Sequence, residues 1–193
     1  IVFNNDYEFT YTLSGNKATV TGLEDTVTGI LRIPDTIDGY DVVAIAPNAF
    51  KDRTDITGII TGEKLETIGK MAFYGAQLRS VQFGSGLQHI GDYAFYNAFY
   101  KPEYSYTQIA LEFAEGMKTV GKNAFAGVRI TELKIPSTME SIGTDAFEYH
   151  FHDTPVIYNG TLQQWLDIYR AESLADYRTD YLSSKGGPGY AKY

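Results

Sequence analysis

Five Ala-Phe pairs recur in phase along this chain, and no other feature restricts its fold as tightly. They fall at Ala49-Phe50, Ala72-Phe73, Ala94-Phe95, Ala124-Phe125 and Ala146-Phe147, with Phe-to-Phe steps of 23, 22, 30 and 22 residues. Each pair follows a β-branched residue and a small one, at Ile45-Ala46, Ile68-Gly69, Ile90-Gly91, Val120-Gly121 and Ile142-Gly143, so every unit reads [IV]-[GA]-x-x-A-F. A period of this length implies a solenoid, in which each coil buries its apolar face against its neighbours.

Upstream of each corner a second motif falls into register: Leu31-Arg32-Ile33-Pro34, Ile59-Ile60-Thr61-Gly62, Val81-Gln82-Phe83-Gly84, Leu111-Glu112-Phe113-Ala114 and Leu133-Lys134-Ile135-Pro136. Apolar residues two apart share one face of an extended chain, and the Pro or Gly that follows stops the strand. One parallel strand per coil is therefore expected, with Arg32, Ile60, Gln82, Glu112 and Lys134 facing outward. Leu65, Leu87, Met117 and Met139 precede the corners as further core residues. Gly69, Gly91, Gly121 and Gly143 are expected to take positive φ at the corners, with Ala46 marking a different backbone in the first coil. Each Phe fills the interior of its coil.

L-x-I-P followed by I-G-x-x-A-F at a 22- or 23-residue period resembles the BspA-like (Treponema pallidum type) leucine-rich repeat, over residues 27–158. That family often places Cys three residues after the Phe. Here the position holds Arg53, Ala76, Ala98, Val128 and His150, and small or apolar residues can replace a buried thiol. The fold class expected is an α/β repeat solenoid: a short leucine-rich-repeat stack of five to six coils with one parallel strand per coil and irregular or short helical segments opposite. The resemblance implies a secreted or cell-surface bacterial protein that adheres to a host, microbial or matrix protein without catalysis.

Both ends read as caps, which a solenoid needs to cover its terminal apolar surface. Residues 1–26 contain a β-hairpin pattern over 7–22 around Ser14-Gly15-Asn16. Asp38-Gly39-Tyr40-Asp41 reads as a loop stretching the first unit. Val156-Ile157-Tyr158 is expected as a last strand. In the region 159–182, Asn159-Gly160-Thr161 reads as a turn with an N-cap Thr. The helix that follows is expected to pack Leu162, Trp165, Leu166 and Ile168 over the final coil. Residues 183–193, with Ser183-Ser-Lys-Gly-Gly-Pro-Gly189, read as a linker or tail. The chain opens at Ile1 without Met, which suggests a processed protein or part of a longer one.

Composition narrows the function classes. Hydrophobic residues make up 44% of 193, enough for a substantial core. A net charge of -8 disfavours a phosphate-tracking surface, so no nucleic-acid partner is expected. No apolar run reaches the roughly 20 residues of a transmembrane helix. Cysteine is absent, so stability rests on packing.

The largest irregularity is the 30-residue unit. It carries about eight extra residues between Phe95 and Leu111, rich in Tyr96, Phe99, Tyr100, Tyr104 and Tyr106. Insertions in repeat proteins map to loops on one face, often the binding face. These rings are the candidate binding residues, either as anchors at a protein interface or as sugar-stacking platforms. The bland alternative is that they pack on the solenoid and the domain is a spacer. Exposed coplanar rings would favour sugar, and buried ones a protein interface or a spacer. His150-Phe151-His152-Asp153 offers two imidazoles and a carboxylate but no third ligand in sequence, His89 lying two units away, so no metal site is expected. No nucleophile elbow, Walker loop, H-E-x-x-H or EF-hand pattern occurs. No cofactor or enzymatic activity is expected.

Overall fold

The computed structural model describes residues 8–24, 26–99, 108–148 and 155–173. The chain opens with a hairpin, β1 (Phe9–Ser14) and β2 (Lys17–Leu23), followed by β3 (Gly29–Ile33), β4 (Thr36–Ile37) and β5 (Tyr40–Ile45). Four further coils contribute β6 (Ile56–Thr61) and β7 (Thr67–Ile68), β8 (Ser80–Gln82) and β9 (His89–Ile90), β10 (Gln108–Glu112) and β11 (Thr119–Val120), then β12 (Arg129–Ile135) and β13 (Ser141–Ile142). A last strand, β14 (Val156–Tyr158), leads to α1 (Leu162–Ser173).

Each coil carries two strands rather than the one expected. The L-x-I-P segments form sheets β3-β6-β8 and β10-β12-β14, while the two-residue strands before each corner join a continuous ladder, β1-β2-β5-β7-β9-β11-β13. These short strands escape a pattern reading because two residues carry no periodicity; only stacking in register makes them a sheet. Their inward column, Ile45, Ile68, Ile90 and Val120, is at most 2% exposed.

The corner glycines are set by close approach, not by φ. A Cβ on Gly69, Gly91 or Gly121 would lie 2.6 Å from Pro47 N, 2.7 Å from Lys70 N and 2.5 Å from Asp92 N, each in the preceding coil. Ala46 stands first in this column, and its N–H bonds Val20 O of the hairpin instead of another corner. Left-handed backbone lies two residues later, at Asn48, Met71, Tyr93, Asn123 and Asp145, all with φ between 52° and 60°. Asn and Asp tolerate this region, whereas Met71 and Tyr93 store strain there. The surrounding ladder holds them: Phe50, Phe73, Phe95 and Phe125 donate N–H bonds of 2.7 to 2.8 Å to Ala72, Ala94, Ala124 and Ala146.

The five Phe rings build the core as a stack. Centroids are 5.1 Å apart for Phe50/Phe73, 5.2 Å for Phe73/Phe95, 5.0 Å for Phe95/Phe125 and 5.6 Å for Phe125/Phe147, with planes within 15° of parallel. Ala76, Ala98 and Val128 are buried beside them, and Arg53 instead holds Asp55 through two bonds of 2.7 and 2.8 Å.

The expected loop after Ile37 is a two-residue turn, Asp38-Gly39, with both φ positive, joining the antiparallel pair β4 and β5. At the other end Thr161 caps α1 reciprocally with Gln164: the Thr161 N–H donates 2.8 Å to Oε1, and the Gln164 N–H donates 3.3 Å to the Thr161 Oγ1. Ile168 is buried, Trp165 lies 5.2 Å from Tyr158, and Leu162 is exposed, against expectation, because it faces away at the helix start.

Candidate functional site

The outward row expected on the L-x-I-P strands is present. Arg32 pairs in register with Ile60 and Ile60 with Gln82, and Glu112 pairs with Lys134 and Lys134 with Ile157. Between the two halves no ladder joins β8 to β10 among the described residues. The break falls in the 30-residue coil, whose insertion runs straight into Gln108 at the start of β10.

The interruption opens a slot of about 280 Å³ lined by Val81, Gln82, Phe83, Ala110, Leu111, Glu112 and Ala114. It also thins the core locally. Val81 and Phe83 are half-buried, while their counterparts Leu31, Ile59, Leu111 and Leu133, and Ile33, Phe113 and Ile135, are at most 4% exposed. Phe83 and Phe113 stack at 6.0 Å, wider than any pair in the Ala-Phe column. The slot mouth carries Gln82 and Glu112. Lys134 bonds Glu112 at 2.9 Å and lies 3.5 Å from Glu132, and these carboxylates hold its pKa up. One ammonium thus serves two carboxylates.

On the Ala-Phe corner the insertion begins with an aromatic cluster. Tyr74 and Tyr96 stack at 5.1 Å and 10°, Tyr93 meets Tyr96 at 5.7 Å, and Lys51 Nζ sits 5.3 Å from the Tyr74 ring centre. These Tyr are half-buried, with ring faces turned along the solenoid axis toward one another. Phe99 is a core residue, 1% exposed, with a bridge to Gln77, so it is not available as a binding anchor. Tyr100, Tyr104 and Tyr106 lie outside the described residues, as does His150-Phe151-His152-Asp153. Sequence reading missed Tyr74, Tyr93 and the slot, although Val81 and Phe83 stand in the strand motif just before the one long step.

A carboxylate column runs along the turn after the strands. Asp35 accepts the Lys64 N–H at 2.9 Å, Glu63 accepts the Ser85 N–H at 2.6 Å and hydroxyl at 2.5 Å, and Glu115 accepts the Ser137 N–H at 3.2 Å and hydroxyl at 2.9 Å. The Ser85 hydroxyl first, and the Ser137 N–H first, hold Glu63 and Glu115 below the ordinary carboxylate value. These carboxylates satisfy backbone donors of the next coil, a structural duty. His89 Nδ1 lies 2.9 Å from Thr119 Oγ1 across the ladder. Among the described residues no three His, Asp or Glu converge on a metal-sized site, and no helix is long and apolar enough to cross a membrane.

No curated protein sequence matches the chain. Among solved structures it is similar to the leucine-rich-repeat protein of T. pallidum, TpLRR, with TM-score 0.65 and 22% identity over 77% of this chain and 68% of that one. A leucine-rich-repeat protein of Bacteroides ovatus gives 0.59 and 24% over 80% of this chain and 39% of that one. The pneumococcal vaccine antigen PcpA gives 0.51 and 20% over 79% and 48%. These likenesses carry the fold. The sequence pattern described as the BspA type leucine rich repeat region matches residues 43–148 in six copies, and the chain belongs to that family.

Proposed function

We propose that this domain is a non-catalytic recognition module of a secreted or cell-surface bacterial protein, which binds a protein of host, microbe or matrix. The hairpin and α1 serve as caps for the solenoid between them. The observation that carries this reading is the single interrupted sheet: a rigid stack presents a preformed outer row, broken where the Tyr-rich insertion enters β10. A preformed surface binds without paying for its own ordering. The likeness to a vaccine antigen supports a surface setting.

A glycan partner is the second reading, and the Tyr cluster weighs against it. Sugar stacking needs open ring faces, whereas Tyr74 and Tyr96 turn theirs to each other and Tyr74 also faces Lys51. Tyr100, Tyr104 and Tyr106, with Tyr96 at the base of the insertion, remain the proposed contact residues. The purified domain printed against arrays of matrix proteins and glycans tests the reading. Binding to proteins supports it, and binding to glycans alone overturns it.

A further inference from the structure

We infer that the slot between β8 and β10 binds a short extended segment of a partner protein, one that alternates an apolar residue with Lys or Arg. The inference rests on the protein-recognition reading and gives that surface a specific contact.

Main-chain geometry comes first. The Arg79 N–H donates to Thr57 O, toward the preceding coil, and the Phe113 N–H donates to Lys134 O, toward the following one. Main-chain groups of successive residues in a strand turn to opposite edges. Ser80 and Gln82 on β8, and Ala110 and Glu112 on β10, therefore direct theirs into the slot, where no ladder joins the two strands among the described residues. Strand edges of this kind pair with extended peptides.

Side chains then set the pattern. An extended segment lying along either edge alternates its residues between the core side and the outer face. Toward the core it meets Val81 and Phe83, half-buried where their counterparts in the coils on either side, Ile59, Thr61, Leu111 and Phe113, are covered. An aliphatic or aromatic residue completes that packing. On the outer face it meets Gln82 and Glu112. The Glu112 side chain is 70% exposed, and Glu112 shares Lys134 with Glu132. A second cation is the charge this pair of carboxylates lacks, and it also suits a chain of net charge -8.

Panning the immobilised domain against a displayed random dodecapeptide library tests this. The expected result is enrichment of apolar-basic-apolar triplets, and a synthetic winner shifts the amide signals of Ser80, Gln82, Ala110 and Glu112. Ala110→Arg, at an exposed position, lowers affinity for that peptide at least tenfold. Glu112→Lys changes the enriched outer residue from basic to acidic. Both variants keep the wild-type melting curve. No enrichment, shifts confined to other coils, or an Ala110→Arg affinity within twofold of wild type overturns the slot. Those failures are separate from failure of the recognition reading, since protein spots on the array stand whether or not peptides enrich.

Discussion

Phe95 and Phe125 stack at 5.0 Å with planes 8° from parallel, although 30 residues separate them where other coils use 22 or 23. The Ala-Phe column thus keeps its spacing across the long step. At the Ala-Phe corner the stack runs on undisturbed, and on the strand side it opens between β8 and β10, where Phe83 and Phe113 are 6.0 Å apart.

Phe95 touches Phe73, Phe83 and Phe125, so it joins the Ala-Phe column to the ring of the neighbouring strand. Phe95→Ala is expected to cost about 3–5 kcal/mol, near the upper end of that range. Urea unfolding monitored by circular dichroism measures it, and a loss under about 2 kcal/mol would contradict the continuous stack.

Gly121 and Ala46 hold the same place in the fourth and first coils but face different neighbours. Gly121→Ala forces a Cβ to within 2.5 Å of Asp92 N and is expected to cost about 1–3 kcal/mol. Ala46→Gly loses only conformational preference, about 0.5–1 kcal/mol. Thermal melts of the two variants give the comparison, and the reverse order would contradict close approach as the reason for the glycines.

The Tyr158 hydroxyl is buried with no hydrogen-bond partner among the described residues, and burial raises its pKa. Tyr158→Phe removes a desolvated polar group without removing the ring that packs on Trp165. A gain of about 1 kcal/mol is expected. A destabilised variant in the same unfolding assay would show that the hydroxyl has a partner.

Glu63 and Glu115 titrate below the ordinary 4.5 in the folded chain. The unfolded chain therefore binds more protons at acid pH, so their stabilisation is fully present above 4.5 and fades as pH falls through the lowered folded values. Unfolding midpoints should hold from neutral pH to about 5 and drop below it. Ser85→Ala, which removes the largest cause of the Glu63 shift, should shallow that drop, and an unchanged pH profile would contradict the role given to this bond.

The repeat, its period and its buried Phe column were legible because a motif recurring in phase reports neighbours in space as well as in sequence. The two-residue strands were not, since their only support is the adjacent coil. The glycine corner was found for the wrong reason: sequence shows a missing Cβ but cannot tell torsional need from crowding by Pro47, Lys70 or Asp92. At the candidate site, the long step located the interruption, while Phe99 was misplaced because an aromatic at the mouth of an insertion looks the same whether it turns inward or out. Tyr74 and Tyr96 share a repeat position, and their stacking follows from the coil spacing that brings such positions about 5 Å apart.

The most direct test of recognition at the interruption is the affinity of the Tyr100→Ala/Tyr104→Ala double variant for the brightest protein on the array, measured beside the wild type. Recognition through the insertion predicts that binding is lost while the melting temperature is unchanged. Wild-type binding by the double variant, or a signal on glycans alone that depends on these two rings, would contradict it.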